Sequence, residues 1–162
     1  MNTTGPDLDF LDRSSDTNGL FANNQPDPFT VVDAAGNPLT DPTFAVSVTG
    51  TLLVAANADF SFVVHSDDGF DFRIDGASVF QFDGDRGPST SRIDLVALTA
   101  GSHDFELIGW EQGGQFVLEL GWAPNGSENF HVLSTTPVPV PAALPLMASA
   151  LAGLGLRRRR RC

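Results

Sequence analysis

The chain has 162 residues and a formal charge of −11, and five of its nine basic residues, Arg157, Arg158, Arg159, Arg160 and Arg161, stand at the extreme end. Before that run four Arg and no Lys face 20 acidic residues, a net of −16. Such a balance excludes a duplex-binding surface, because phosphate contacts need clustered Lys or Arg, so no nucleic-acid partner is expected.

Sixteen of the acids are Asp. Asp is poor in helix interiors, good in turns, and an oxygen ligand for hard cations. A divalent cation or a salty extracellular medium fits this bias, and so does plain solubility of a β-protein. The one cysteine is Cys162, the last residue, so no internal disulfide is available. Stability must come from core burial, aided by a metal where one binds. Thirteen Phe and two Trp supply that core.

Residues 1–41 are polar and rich in Asn, Asp, Pro and Gly, and read as loops joining short extended pieces such as Phe29–Val32. From Phe44 the signal becomes regular. FAVSVTGTLLVAA, DFSFVVHS, FDFRIDG, SVFQFDG, RIDLVALTAG, HDFELIGW and QFVLELGW alternate with period two and are separated by Gly, Asp or Asn. In the last of these, Phe116, Leu118, Leu120 and Trp122 share one face while Val117 and Glu119 take the other. Before position 140 no long window has helical periodicity. Seven or eight short strands at this spacing predict an all-β antiparallel sandwich over residues 1–134.

Within it, HSDDGFDFRIDG (His65 to Gly76) holds an acidic doublet, Asp67-Asp68. Asp-Gly between alternating strands is a preferred hairpin turn. The doublet therefore has a structural reading, a turn, beside a cation-binding one. Asp75-Gly76 reads as a simple turn. DGDRGPSTSRID (Asp83 to Asp94) has only a superficial likeness to a calcium loop, since Pro88 stands where an EF-hand needs Gly.

After Leu133 the composition changes. STTPVPVP contains a Pro-rich linker (135–141), and AALPLMASALAGLGL (142–156) is fifteen uncharged residues closed by the arginines. As a helix it is about 22 Å long, short of the roughly 30 Å hydrocarbon core, so it is marginal as a permanent anchor. The arginines stay cytoplasmic by the positive-inside rule, which leaves everything upstream outside.

The string VPVPAALPLMASALAGLGLRRRRRC resembles a PEP-CTERM sorting signal of the VPLPA type. That resemblance implies recognition of Pro139, Val140 and Pro141 by an exosortase-type membrane processing enzyme, with Arg157 to Arg161 as the retention signal. It further implies transient inner-membrane insertion of the 142–162 helix and delivery to the cell surface, outer membrane or exopolysaccharide matrix of a Gram-negative bacterium. The opening residues, MNTTGPDLDFLDR, have neither the basic nor the apolar region of a secretory signal, so export is read from the tail alone.

The body is similar to the protective-antigen-type domain, the jelly-roll-like sandwich of several adhesins and of some glycosidases. The likeness is carried by FAVSVTGTL, DFSFVVHSDDGFDFRIDGASVF and LTAGSHDFELIGWEQGGQFVLELGW, roughly residues 44 to 122. In sugar-binding members two neighbouring aspartates joined by a cis peptide hold a calcium ion that grips sugar hydroxyls. The resemblance therefore implies Ca2+ ligation by Asp67 and Asp68. The family's further ligand is an Asn; here its place is taken by Trp110-Glu111-Gln112-Gly113, where Glu111 or Gln112 is the candidate oxygen donor. Phe70 and Trp110 are candidates for stacking on a sugar, with a core role as their other reading.

No nucleophile, base and orienter stand in a recognisable pattern, and His65, His103 and His131 show no metal-ligand spacing. The expectation is a non-catalytic module that binds cell-surface glycans or exopolysaccharide; the alternative is a structural, self-associating matrix protein without a ligand.

Overall fold

The period-two runs fold into strands because alternation leaves one face of each apolar, and a strand can bury that face only against a second sheet. The computed structural model describes residues 8–11, 19–21, 25–26, 30–40, 42–124 and 126–133. The linker, the sorting helix and the arginine run lie outside the described residues, as does Phe29. Val32 forms only an isolated bridge to Pro38.

Ten strands are described: β1 (Asp9–Leu11), β2 (Gln25–Pro26), β3 (Phe44–Val54), β4 (Ala58–Asp67), β5 (Gly69–Ile74), β6 (Ala77–Phe82), β7 (Ser89–Leu98), β8 (Gly101–Glu111), β9 (Val117–Pro124) and β10 (His131–Val132). One sheet runs β2-β1-β9-β4-β7, with β10 also on β9; the other runs β3-β8-β5-β6. Pairing is antiparallel except between β1 and β2. The all-β sandwich is thus the observed fold.

The core lies between the sheets. Phe62, Val64, Leu118 and Leu120 meet Val48, Phe70, Phe72 and Leu107, all nearly or fully buried. Phe62 and Phe72 join the two sheets ring to ring, with centroids 5.1 Å apart. Asp75-Gly76 makes the β5–β6 turn as the sequence predicts: both residues have positive φ, 51° and 79°, as a tight two-residue hairpin requires.

β4 departs from simple alternation. Six consecutive residues, Ser61 to Ser66, are buried, so both faces of this strand are covered. The outer face is closed by segments the sequence reads as loops. β1 pairs with β9, placing Asp9 opposite Glu119, and Glu119 stands opposite His65 on the other side. Residues 19–21 cross above. The Leu20 N–H donates to Glu119 Oε2 at 2.6 Å, the Phe21 N–H lies 3.4 Å from Oε1, and the Phe21 ring packs on Gly121. Glu119, on the face of β9 opposite Leu118 and Leu120, is therefore fully buried.

Burial and a hydrogen bond with Asp9 raise the Glu119 pKa to about 8, and the two backbone donors only partly offset this. A carboxyl whose folded pKa lies above its unfolded value binds more protons in the native state, so stability falls as pH rises between the two values. Glu119→Gln keeps the shape of the protonated acid and cannot ionise. Between pH 5 and pH 8 the wild type should lose on the order of 3 kcal/mol more stability than the variant, measured by chemical denaturation at each pH. Parallel pH profiles for the two proteins would show that Glu119 ionises freely in the fold.

Candidate functional site

Asp67 ends β4 in one sheet and Gly69 begins β5 in the other, so the doublet is the crossing between sheets and not a hairpin. β4 and β5 are not paired; β4 runs beside β7 and β9, and β5 beside β6 and β8. The turn reading fails for a physical reason. Gly69 is buried with its α-carbon under the Trp110 indole and near the Phe82 carbonyl, and an added Cβ would collide with both. The glycine permits close approach of an aromatic side chain; it does not serve a reverse turn.

The Asp67–Asp68 peptide is cis, the feature implied by the family resemblance. One carboxylate oxygen each from Asp67, Asp68 and Glu111 lies within 4.8 Å of the others. Three segments far apart in sequence are fastened together at Asp68, which is 6% exposed. Its Oδ1 accepts the Arg86 N–H at 2.8 Å, from the β6–β7 connection. Oδ2 accepts the Gln112 N–H, also at 2.8 Å, from the β8–β9 connection. The Asp68 N–H donates to the Trp110 carbonyl at 3.0 Å.

Glu111, 2% exposed, accepts the Gly113 N–H on Oε1 at 2.7 Å. Asp67 is only half-buried and faces outward. Burial first, and then the neighbouring Asp68 charge, push its pKa up to about 6, while the Arg86 charge pulls the other way. Closely spaced carboxylates of this kind suit a hard cation chemically, because calcium takes six to eight oxygens and no softer donor.

The other candidates separate cleanly. Gln112 is exposed and contributes through its backbone, donating to Asp68 and accepting from Thr43 Oγ1 at 3.0 Å. Phe70 has no exposed surface and meets Phe80 edge-on at 5.1 Å, so its place is in the core and it presents no face to a sugar. Trp110 remains half-exposed beside the doublet. The sorting residues Pro139, Val140, Pro141 and Arg157 to Arg161 lie outside the described residues.

Sequence reasoning misses Arg86. Its guanidinium lies 4.2 Å from the Phe82 ring centroid and is spent on Ser66, Asp68 and Ser91 around the crossing. A signal was present: only four Arg precede the tail, and this one sits in an acidic loop between Gly84 and Gly87.

The PA14 domain model matches residues 10–135. The chain belongs to the PA14 domain family. This is the protective-antigen-type sandwich under its family name. Among solved structures, the PA14 sugar-binding domain from an RTX adhesin is 26% identical, with a TM-score of 0.52, covering 62% of this chain and 55% of that one. An anti-sigma factor domain-containing protein aligns over 84% of this chain and 42% of its own at 17% identity, with a TM-score of 0.58. An epithelial adhesin A domain from Candida glabrata, solved with beta-lactose, covers 63% and 55% at 12% identity and a TM-score of 0.47. This chain thus spans about half of the RTX adhesin structure. No curated protein matches the sequence.

Because this PA14 domain places Trp110 across Gly69, the glycine is testable apart from any ligand. Gly69→Ala should cost about 1–3 kcal/mol by overpacking and shift the tryptophan emission as the indole is displaced. Unchanged emission and midpoint would show that the ring yields freely.

Proposed function

We propose that this PA14 domain is an exported, non-catalytic binding module that holds Ca2+ at Asp67, Asp68 and Glu111 and grips the hydroxyls of cell-surface or exopolysaccharide glycans through it. The observation that carries the reading is the convergence of three carboxylates within 4.8 Å at the sheet crossing. Trp110, half-exposed beside them, offers a ring for the apolar face of a sugar. The RTX adhesin relative is described as sugar-binding, which agrees with this reading.

For delivery, the proposal rests on the order of the tail: the Pro139-Val140-Pro141 motif, a short apolar stretch, then the arginines. An exosortase-type enzyme would process the tail after transient membrane insertion and leave residues 1–134 at the cell surface or in the matrix. The family match stops at residue 135, where the Pro-rich linker begins.

The two aspartates divide the work. Asp68 is committed to two backbone donors, whereas Asp67 is the outward carboxylate. Asp67→Asn removes a charge beside Asp68, so the calcium-free variant should melt within a few degrees of wild type. With calcium at a hundred times its Kd, wild type should gain about 2.7 kcal/mol, and the variant little or nothing. On a glycan array, wild type should bind only when calcium is present. No shift in the wild-type midpoint at millimolar calcium would overturn the reading and leave a structural matrix protein.

A further inference from the structure

We propose that Arg86 is a positioning residue for this cation site: it holds Asp68 in place through its planar fork and its own backbone, without contributing an oxygen, and this positioning outweighs its charge in setting the affinity. The inference rests on the calcium reading above and concerns which residue sets the affinity.

The geometry is specific. From one residue, the backbone N–H reaches Asp68 Oδ1 at 2.8 Å, and Nε lies 3.3 Å from the Asp68 carbonyl. One terminal nitrogen donates to Ser66 Oγ at 2.7 Å and the other to Ser91 Oγ at 3.0 Å. Ser66 Oγ donates in turn to the Asp68 carbonyl at 3.0 Å. Arg86 therefore ties the end of β4, the first residue of the crossing and the start of β7 into one cluster, with its flat face against Phe82.

The side chain spends these bonds on neutral acceptors, two hydroxyls and a carbonyl. An arginine used for charge would fork onto a carboxylate, as Arg92 does with Asp94 and Glu128. Here the rigid, planar set of donors is what the site uses, and a lysine's single flexible ammonium cannot reproduce it.

Two effects of Arg86 on a cation oppose each other. Holding Asp68 in register favours binding, since Asp68 is the ligand that both flanking loops share. A positive charge close to Asp67 disfavours it by repulsion. The signs separate the two. If position dominates, Arg86→Lys and Arg86→Gln both weaken binding; if charge dominates, Arg86→Lys is neutral and Arg86→Gln binds tighter.

The experiment is isothermal titration of the full chain with calcium chloride alone, beside the calcium-free melting midpoint of each protein. Arg86→Lys and Arg86→Gln should each lose at least tenfold in calcium affinity. Arg92→Lys, which loosens an arginine clamp elsewhere in the sandwich, should stay within twofold of wild type. Ser91→Ala removes the far anchor while leaving Arg86 itself, and should lose roughly threefold with an unchanged calcium-free midpoint. This milder variant decides the matter if the Arg86 substitutions do not fold. Wild-type affinity in Arg86→Lys or in Ser91→Ala, tighter binding in Arg86→Gln, or an equal loss in Arg92→Lys would each overturn the positioning role while the calcium site stands. A wild-type chain that binds no calcium overturns both.

Discussion

The fold hangs on one buried carboxylate. Where β4 leaves the first sheet and β5 opens the second, Asp68 takes a backbone N–H on each oxygen, from two connections that have no other reason to meet. A hydrogen bond to a charged acceptor contributes about 1.5–3 kcal/mol, twice the neutral value. Its removal would also take the acceptor from both backbone donors. The ends of β6, β8 and β4 are thereby held at one corner of the sandwich, and Asp67 and Glu111 converge there as a consequence.

Among the described residues, other aspartates also join neighbouring segments by hydrogen bonds. Asp33 caps its own loop by accepting from Ala35 and Asn37, and Asp75 accepts from the Asp104 N–H and His103. Asp71 joins Arg73 to Ser78 across β5 and β6, and Asp94 takes Ser61 and Arg92. A short carboxylate can reach the backbone donors of its own turn, which suits Asp to these positions. In these cases the negative charge has a hydrogen-bond donor or a cation at hand. At the sheet crossing three carboxylates lie close together beside the single guanidinium of Arg86, and burial first, then the Asp68 charge, raise the Asp67 pKa.

How much of this the sequence reveals depends on the range of the interaction. The runs from Phe44 to Trp122 are legible because alternation is local, and each became a strand of the sandwich. β1 was not legible. Its three residues acquire strand character by pairing with β9, a hundred positions away, and Asp9 at their start argues for exposure until Glu119 and the cover of residues 19–21 are in view. At the site, Asp67 and Asp68 stood out through family resemblance and Glu111 through its place in the following loop. The spacing alone favoured a hairpin, because period-two runs on both sides of Asp-Gly look the same whether the strands pair or part to separate sheets. Arg86 escaped notice because its partners are two serines and a backbone carbonyl, none of which marks a site in a linear pattern.

A structural role for the doublet does not compete with the proposed binding role, because a carboxylate oxygen that accepts one hydrogen bond keeps a further lone pair. Asp68 joins the loops with both oxygens, whatever the site holds. Asp67 is the more exposed of the two carboxylates, and burial, then the Asp68 charge, raise its pKa while the Arg86 charge lowers it. A chain that needed only the crossing would lower the cost of ionising Asp67 with a neutral residue at position 67, since the loop bonds run through Asp68. With Asp67 present, the Arg86 charge offsets part of that cost, and a bound cation as proposed above would offset more of it.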